Sequence, residues 1–235
     1  MSFDYESINP GYYHEAMLRG SRTQRFWHRI KFELAAQRIP KKPVKVLDVG
    51  SGPGSFFYVL RKNNKDAVLL GTDLVPKQVG YAKNVVPDAF WLASDATSLP
   101  VRHKSLDFVT MLEVIEHLPE EVEQKILEQI RKSLKKSGKL VISTPNYRSL
   151  WPIIEWLWNK ISPVSYEHQH INKKNIRSLI KGLQGSGFKV SHVQTFFVVS
   201  PFIAVVSERL ARFVLRLEQK LFPFFGSVIL VEAVV

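Results

Sequence analysis

The chain has 235 residues, of which 45% are hydrophobic, and a formal net charge of +12. That length can bury one good core, so a single domain with additions is expected. Cysteine is absent, which excludes a disulfide framework, a thiolate metal centre and a cysteine nucleophile, and favours a cytoplasmic setting.

Residues 12–39 carry Phe26, Trp27, Ile30, Leu34 and Ile39 at roughly helical spacing, so one or two helices are expected, ended by Pro40. The stretch before them, Met1 to Pro10, is polar and acidic, and no secretory signal is expected. Next comes Val46-Leu47-Asp48-Val49-Gly50-Ser51-Gly52-Pro53-Gly54, a β-branched run entering a turn with glycine at every second position. Such a turn delivers a nucleotide-like ligand to a helix N-terminus, and glycine lets the ligand approach bare backbone. The spacing departs from the dinucleotide pattern, with Ser55 where its third small residue would fall. Asp48 would repel a pyrophosphate and attract an ammonium group.

Helices are expected over residues 55–62, from Pro76 to Asn84, and over 119–136. The last has acids in front, bases behind and Gly138 as its C-cap. Between them lie four more strand-like runs, at residues 67–72, 89–96, 106–112 and 139–144. This alternation implies a parallel sheet with helices on both faces. Asp73 and Asp95 stand where the second and third strands end, and Glu113, Glu116 and His117 follow the fourth.

The motif Asp48-x-Gly50-x-Gly52-x-Gly54, followed by Asp73 and Asp95 in order, resembles the class I S-adenosylmethionine (SAM)-dependent methyltransferases. The resemblance implies a Rossmann-like, mostly parallel seven-stranded sheet with helices on both faces and apolar helical additions, its last strand antiparallel near the sheet edge. It implies SAM as cofactor. Gly50, Ser51, Gly52 and Gly54 would shape the loop, and Asp48 would organise the amino-acid end. Asp73 and Leu74 would meet the ribose, Asp95 and Ala96 the adenine, with Leu112 and Glu113 at the end of the fourth strand. Residues 1–43 would form a helical element over the cofactor site, 44–146 the SAM-binding core, and 147–235 the acceptor-side half.

Chemistry is expected where the fourth and fifth strands end. His117 is suited to act as a base toward an acceptor hydroxyl, with Glu116 and His168 as further catalytic candidates. Glu113-x-x-Glu116-His117, with Ser143-Thr144-Pro145-Asn146 and His168-Gln169-His170, also resembles two methyltransferase groups. These are the ubiquinone-biosynthesis O-methyltransferases and the small-RNA 2′-O-methyltransferases. Carried over, Glu113, Glu116 and His117 would hold a divalent cation such as Mg, completed by His168 or His170. A metal-free base and a purely structural cluster stay open beside that reading. His14, His28, His103 and His192 suggest no partner and read as surface or packing residues.

The acceptor side is apolar. Trp151 to Trp158 carries three tryptophans, and Phe196 to Val206 is a second apolar run. Leu210, Phe213, Val214, Leu217 and Leu221 then line one helical face, with Arg209, Arg212, Arg216 and Lys220 elsewhere around it. Core or lid, membrane contact and oligomer interface are all open for these segments. Val228 to Val235 reads as a closing strand. The basic excess is clustered, with nine Lys/Arg against one acid from Arg19 to Lys45 and six against one from Lys160 to Lys189. It points to an anionic partner. The expectation is methyl transfer to oxygen of a small, lipid-linked or amphiphilic acceptor, with peripheral contact to an anionic membrane. An RNA methyltransferase and a membrane-associated, non-catalytic SAM-binding subunit are the alternatives.

Overall fold

A computed structural model describes residues 8–161 and 169–235. Two helices, α1 (Tyr12–Arg19) and α2 (Arg22–Ala36), precede the first strand. Ser21 starts α2 with a reciprocal capping box, its side chain accepting from Gln24 N–H while the Gln24 side chain accepts from Ser21 N–H. The alternating part follows as β1 (Lys45–Val49), α3 (Ser55–Asn63), β2 (Val68–Asp73), α4 (Pro76–Val85), β3 (Phe90–Ala93), β4 (Leu106–Leu112), α5 (Glu120–Ser133) and β5 (Leu134–Pro145). The remainder is α6 (Trp151–Ile161), α7 (Ile176–Gly185), β6 (Lys189–Phe196), α8 (Ser200–Ile203), α9 (Glu208–Leu221) and β7 (Val228–Val234).

The strands form one seven-stranded sheet in the order β3-β2-β1-β4-β5-β7-β6. β1 to β5 are parallel, and β7 runs antiparallel between β5 and β6. Alternation along each strand feeds two cores. Val46, Val141, Val228 and Leu230 face α2, α3 and α9. Leu47, Leu140, Ile142, Ile229 and Val231 face α5 and α7. The parallel strands all end at one side of the sheet, and strand order reverses between β1 and β4, which is where open α/β sheets bind ligands.

Helix α5 ends earlier than its sequence suggested. Its acids and bases sit at the expected ends, but the chain turns into β5 at Leu134, which pairs with Leu106. Gly138 therefore lies inside the strand and caps nothing, because burying Leu134 in the sheet outweighs three further exposed helical residues. The apolar face that the sequence marks on α9, for which core, membrane and oligomer contact were all open, is not its packed face. Ala211, Leu215 and Glu218 are buried, whereas Leu210, Phe213, Leu217 and Leu221 are exposed.

Candidate active site

The glycine turn needs its glycines for backbone reasons first: Gly50, Gly52 and Gly54 all have positive φ, at 69°, 51° and 78°. A Cβ on Gly50 would meet Val114 at 2.5 Å, whereas one on Gly52 would enter open space. Gly54 was expected to line the ligand site. It is instead turned away from it, against Trp91 and Ala82, and seats the start of α3.

A cavity of about 510 Å³ opens at the C-terminal ends of the parallel strands. Its wall includes Asp48, Gly50, Ser51, Gly52, Asp73, Leu74, Asp95, Ala96, Leu112 and Glu113, and thus all the expected cofactor residues except Gly54. Asp48 is buried on β1 and accepts a 2.6 Å hydrogen bond from Thr110 Oγ1, its cross-strand neighbour. Burial pushes its pKa up to about 7, the Thr110 bond opposing and the Asp73 charge adding. Asp73 accepts Gly52 N–H at 2.7 Å and Val75 N–H at 2.9 Å. Burial raises its pKa too, offset in part by those backbone donors. Asp95 caps a short 3₁₀ turn, accepting Thr97 N–H at 2.8 Å. Among the described residues, Ser51 Oγ and Ser94 Oγ are buried on the cavity wall with no hydrogen-bond partner, and Asp48 and Asp73 form no ion pair. Two acids calling for positive charge and two orphaned hydroxyls suit SAM, which brings an ammonium, a sulfonium and several polar atoms.

The N-terminal helices cover this cavity, contributing Tyr13, Trp27, His28, Lys31 and Phe32 to its wall. His28, read from sequence as surface or packing, lies on that wall; burial and then the Lys31 charge lower its pKa, keeping it neutral. His14 is a packing residue, buried against α3 with Nδ1 3.1 Å from Ser55 Oγ.

At the chemistry end, the chain leaves β4 through Glu113, a non-glycine residue at φ 57°. The turn aims its carboxylate at Lys31 Nζ (3.1 Å) and Ser143 Oγ (2.7 Å). Glu113 is therefore an ion-pair partner of α2, and the expected Glu113–Glu116–His117 ligand set is not assembled. Instead Glu116, His117 and His170 converge, one ligand atom from each lying within 4.8 Å of the others. The expectation for His168 lies outside the described residues.

The hydrogen bonds behind this trio orient it. His117 Nδ1 donates to the Gln169 carbonyl at 3.0 Å, and His170 Nδ1 donates to the Glu155 carboxylate. Tyr147 donates to the same Glu155 oxygen at 2.8 Å. Burial, then the His170 and Tyr147 bonds acting oppositely, leave Glu155 with a lowered pKa. With Nδ1 protonated on each ring, the lone pair of the neutral imidazole sits on Nε2. Burial, and secondarily His170, lower the His117 pKa to about 4, so that ring is neutral at pH 7. Glu116 is fully buried beside Thr144 Oγ1 (3.0 Å), and burial with the Glu113 charge holds its pKa well above the carboxylate range. Asn172 ties this turn down, donating to the Glu116 and Leu118 carbonyls and to Glu123.

Two imidazoles and a carboxylate, with their tautomers set by outer hydrogen bonds, fit a divalent cation. The donor set matches a first-row transition ion better than Mg, which prefers oxygen ligands.

A sequence family described as a methyltransferase domain matches residues 19–193. A demethylmenaquinone methyltransferase of Thermotoga maritima is 28% identical over 100 residues, covering 43% of each chain. A tRNA(Thr) (cytosine(32)-N(3))-methyltransferase of Saccharomyces cerevisiae is 26% identical over 151 residues, covering 57% of this chain and 24% of that one. The chain thus spans less than half the length of either relative. Among solved structures, a SAM-dependent methyltransferase from Archaeoglobus fulgidus superposes with a TM-score of 0.65 at 24% identity, over 95% of this chain and all of that one. The matched residues run from α1 through β6 and include the glycine turn and the Glu116–His117–His170 cluster. The chain belongs to the methyltransferase-domain family and has the fold of the class I SAM-dependent methyltransferases.

Proposed function

We propose that this protein transfers the methyl group of SAM to a hydroxyl of a small amphiphilic acceptor. The observation carrying the reading is the joining of two chemistries in one cavity. Paired acids and a glycine turn lie at one end, and the neutral His117 imidazole, beside His170 and Trp151, lies at the other. In this reading Asp48 holds the ammonium, Asp73 the ribose diol and Asp95 the adenine edge. Gly52 lends the bare backbone against which the cofactor rests. The Lys31–Glu113 pair ties α2 over the bound cofactor.

Trp27 stacks on Trp151 with ring centroids 5.6 Å apart and on Phe197 at 4.5 Å, giving the acceptor a rigid apolar wall. His117 Nε2 accepts the hydrogen bond of the acceptor hydroxyl and so aims an oxygen lone pair at the methyl carbon. The new O–CH₃ bond forms as the S–CH₃ bond breaks, the electron pair returning to sulfur. The alkylated oxygen is strongly acidic, so even an imidazole as weakly basic as His117 can take its proton. If Glu116, His117 and His170 instead held a cation, His117 Nε2 would be a ligand rather than the base, and the cation would take over by lowering the pKa of the acceptor hydroxyl. The T. maritima relative, named for a quinone-type substrate, supports an amphiphilic acceptor.

The test is incubation with methyl-labelled SAM and cell extract, with and without chelator, followed by fractionation. Label in organic-soluble small molecules is expected. Label in RNA would replace this reading with the one suggested by the tRNA-methylating relative. Tight SAM binding without any labelled product would favour a non-catalytic subunit.

A further inference from the structure

Helix α9 divides into three arcs. Ala211, Leu215 and Glu218 pack inward, and Glu218 accepts the N–H groups of Val198, Val199 and Ser200. Leu210, Phe213, Leu217 and Leu221, in steps of three, four and four residues, form an outward apolar ridge, each 40–63% exposed. Arg209, Arg216 and Lys220 flank that ridge in solvent. The ridge runs on into Phe222, Phe224 and Phe225, and the last two are each 63% exposed. Four aromatic or aliphatic side chains from 221 to 225, with no polar residue among them, do not stay in water without a reason.

The loop lies beside an open groove of about 740 Å³, where Phe224 and Phe225 meet Arg148, Arg177 and Lys181. Among the described residues, none of these three cations forms an ion pair. The position follows from the topology. Val228 pairs with both Pro145 and Phe196, and Asn146 Nδ2 donates to the carbonyls of Phe224 and Gly226. The aromatic loop is thereby fixed at the C-terminal end of the sheet, the end at which the cofactor-sized cavity opens.

We infer that the α9 ridge and the Phe224–Phe225 loop dock on an anionic phospholipid surface, with Arg148, Arg177 and Lys181 receiving lipid phosphates. The exposed apolar residues follow one another along the chain from Leu210 to Phe225, and the cations share a groove with Phe224 and Phe225, which matches acyl chains below and phosphates above. A nucleic acid asks for the opposite pattern, single aromatics interleaved with cations. A second copy of the chain would bring the two basic flanks together on molecules that each carry +12. The inference stands apart from the methyl-transfer reading, since docking needs neither cofactor nor acceptor.

The experiment is vesicle flotation of the full chain, without SAM, on phosphatidylcholine alone and on phosphatidylcholine mixed with phosphatidylglycerol. Binding to the anionic vesicles only is expected. The triple variant Arg148→Gln, Arg177→Gln, Lys181→Gln should weaken it on the order of a hundredfold, each basic residue being worth roughly fivefold. Phe224→Ser with Phe225→Ser should weaken it by about tenfold or more while binding SAM normally. Failure to float with anionic vesicles would overturn the inference. So would equal binding to neutral ones, or binding unaffected by either variant. A concentration-dependent dimer in light scattering that the Phe variants abolish would instead assign the face to self-association. Loss of flotation when tRNA is added, with tight tRNA binding sensitive to the Gln variant, would assign it to nucleic acid.

Discussion

Lys31 Nζ lies 3.1 Å from Glu113 Oε2, and both side chains are mostly buried, at 10% and 19% exposure. This contact joins the N-terminal helical cover to the point where β4 ends and the chemistry begins. Removing one member of such a pair strands the other charge. Lys31→Met should therefore destabilise the fold by about 1–3 kcal/mol in urea melts, with Lys31→Arg recovering most of it. A variant as stable as the parent would mean that the pair only closes over ligand.

Asp48 makes stability fall with pH. Its folded pKa of about 7 exceeds the ordinary aspartate value of 3.8, so the native state binds more protons than the unfolded one between those values. The contribution is fully present below about pH 4 and is lost as pH rises through 7. Asp48→Asn keeps the Thr110 bond and removes the penalty. The variant should match the parent near pH 4 and exceed it by on the order of 2–4 kcal/mol at pH 8. Its SAM affinity should drop, because the ammonium loses its counter-charge. Urea melts at the two pH values and calorimetric SAM titration measure both effects.

Asp73→Ala should weaken SAM binding by about 1–3 kcal/mol, roughly five- to 150-fold in Kd. It also leaves Gly52 N–H and Val75 N–H without their acceptor. Asp73→Asn restores one such acceptor. If that variant recovers stability but not affinity, ribose recognition is separated from bracing of the loop.

Glycines of the same turn should fail differently. Gly50→Ala drives a Cβ to 2.5 Å from Val114 and should lower the melting temperature. Gly52→Ala has no clash, so its stability cost is limited to left-handed strain of about 1–2 kcal/mol. Its larger loss should be SAM affinity, because the new methyl occupies the cavity.

The ligand trio distinguishes the two glutamates. Cation titration followed by calorimetry should show binding with proton release, because Glu116 gives up a proton when a cation replaces it. Glu116→Gln and His170→Ala should each abolish that signal, and Glu113→Gln should leave it in place. Loss with Glu113→Gln and retention with His170→Ala would restore the ligand set expected from sequence.

The strand-and-helix alternation, the glycine turn and the acids at strand ends were legible in the sequence because each is a local pattern. A β-branched run, a turn that needs positive φ and a capping residue are decided within a few residues. Other features were not local. The sequence offered His168 or His170 to complete the ligand set without deciding between them; His170 stands 53 residues beyond His117 and joins it in a loop that Asn172 ties to the Glu116 turn. Glu113 lost its expected role to Lys31, which lies 82 residues away in another helix. Gly54 faces Trp91 rather than ligand, and Gly138 was absorbed by β5 when Leu134 found a place in the sheet. In α9 two apolar arcs competed for the sheet, and helical periodicity alone gives no preference between them. Ala211 and Leu215 won because the smaller arc brings Glu218 to the N–H groups that begin α8. What the sequence by itself determined is the set of elements, their order and the cofactor turn, all governed by short-range sterics and periodicity. Which acid meets which base, and which apolar face is left outside, were decided only by the tertiary structure, because burial and charge pairing depend on residues the chain brings together from afar.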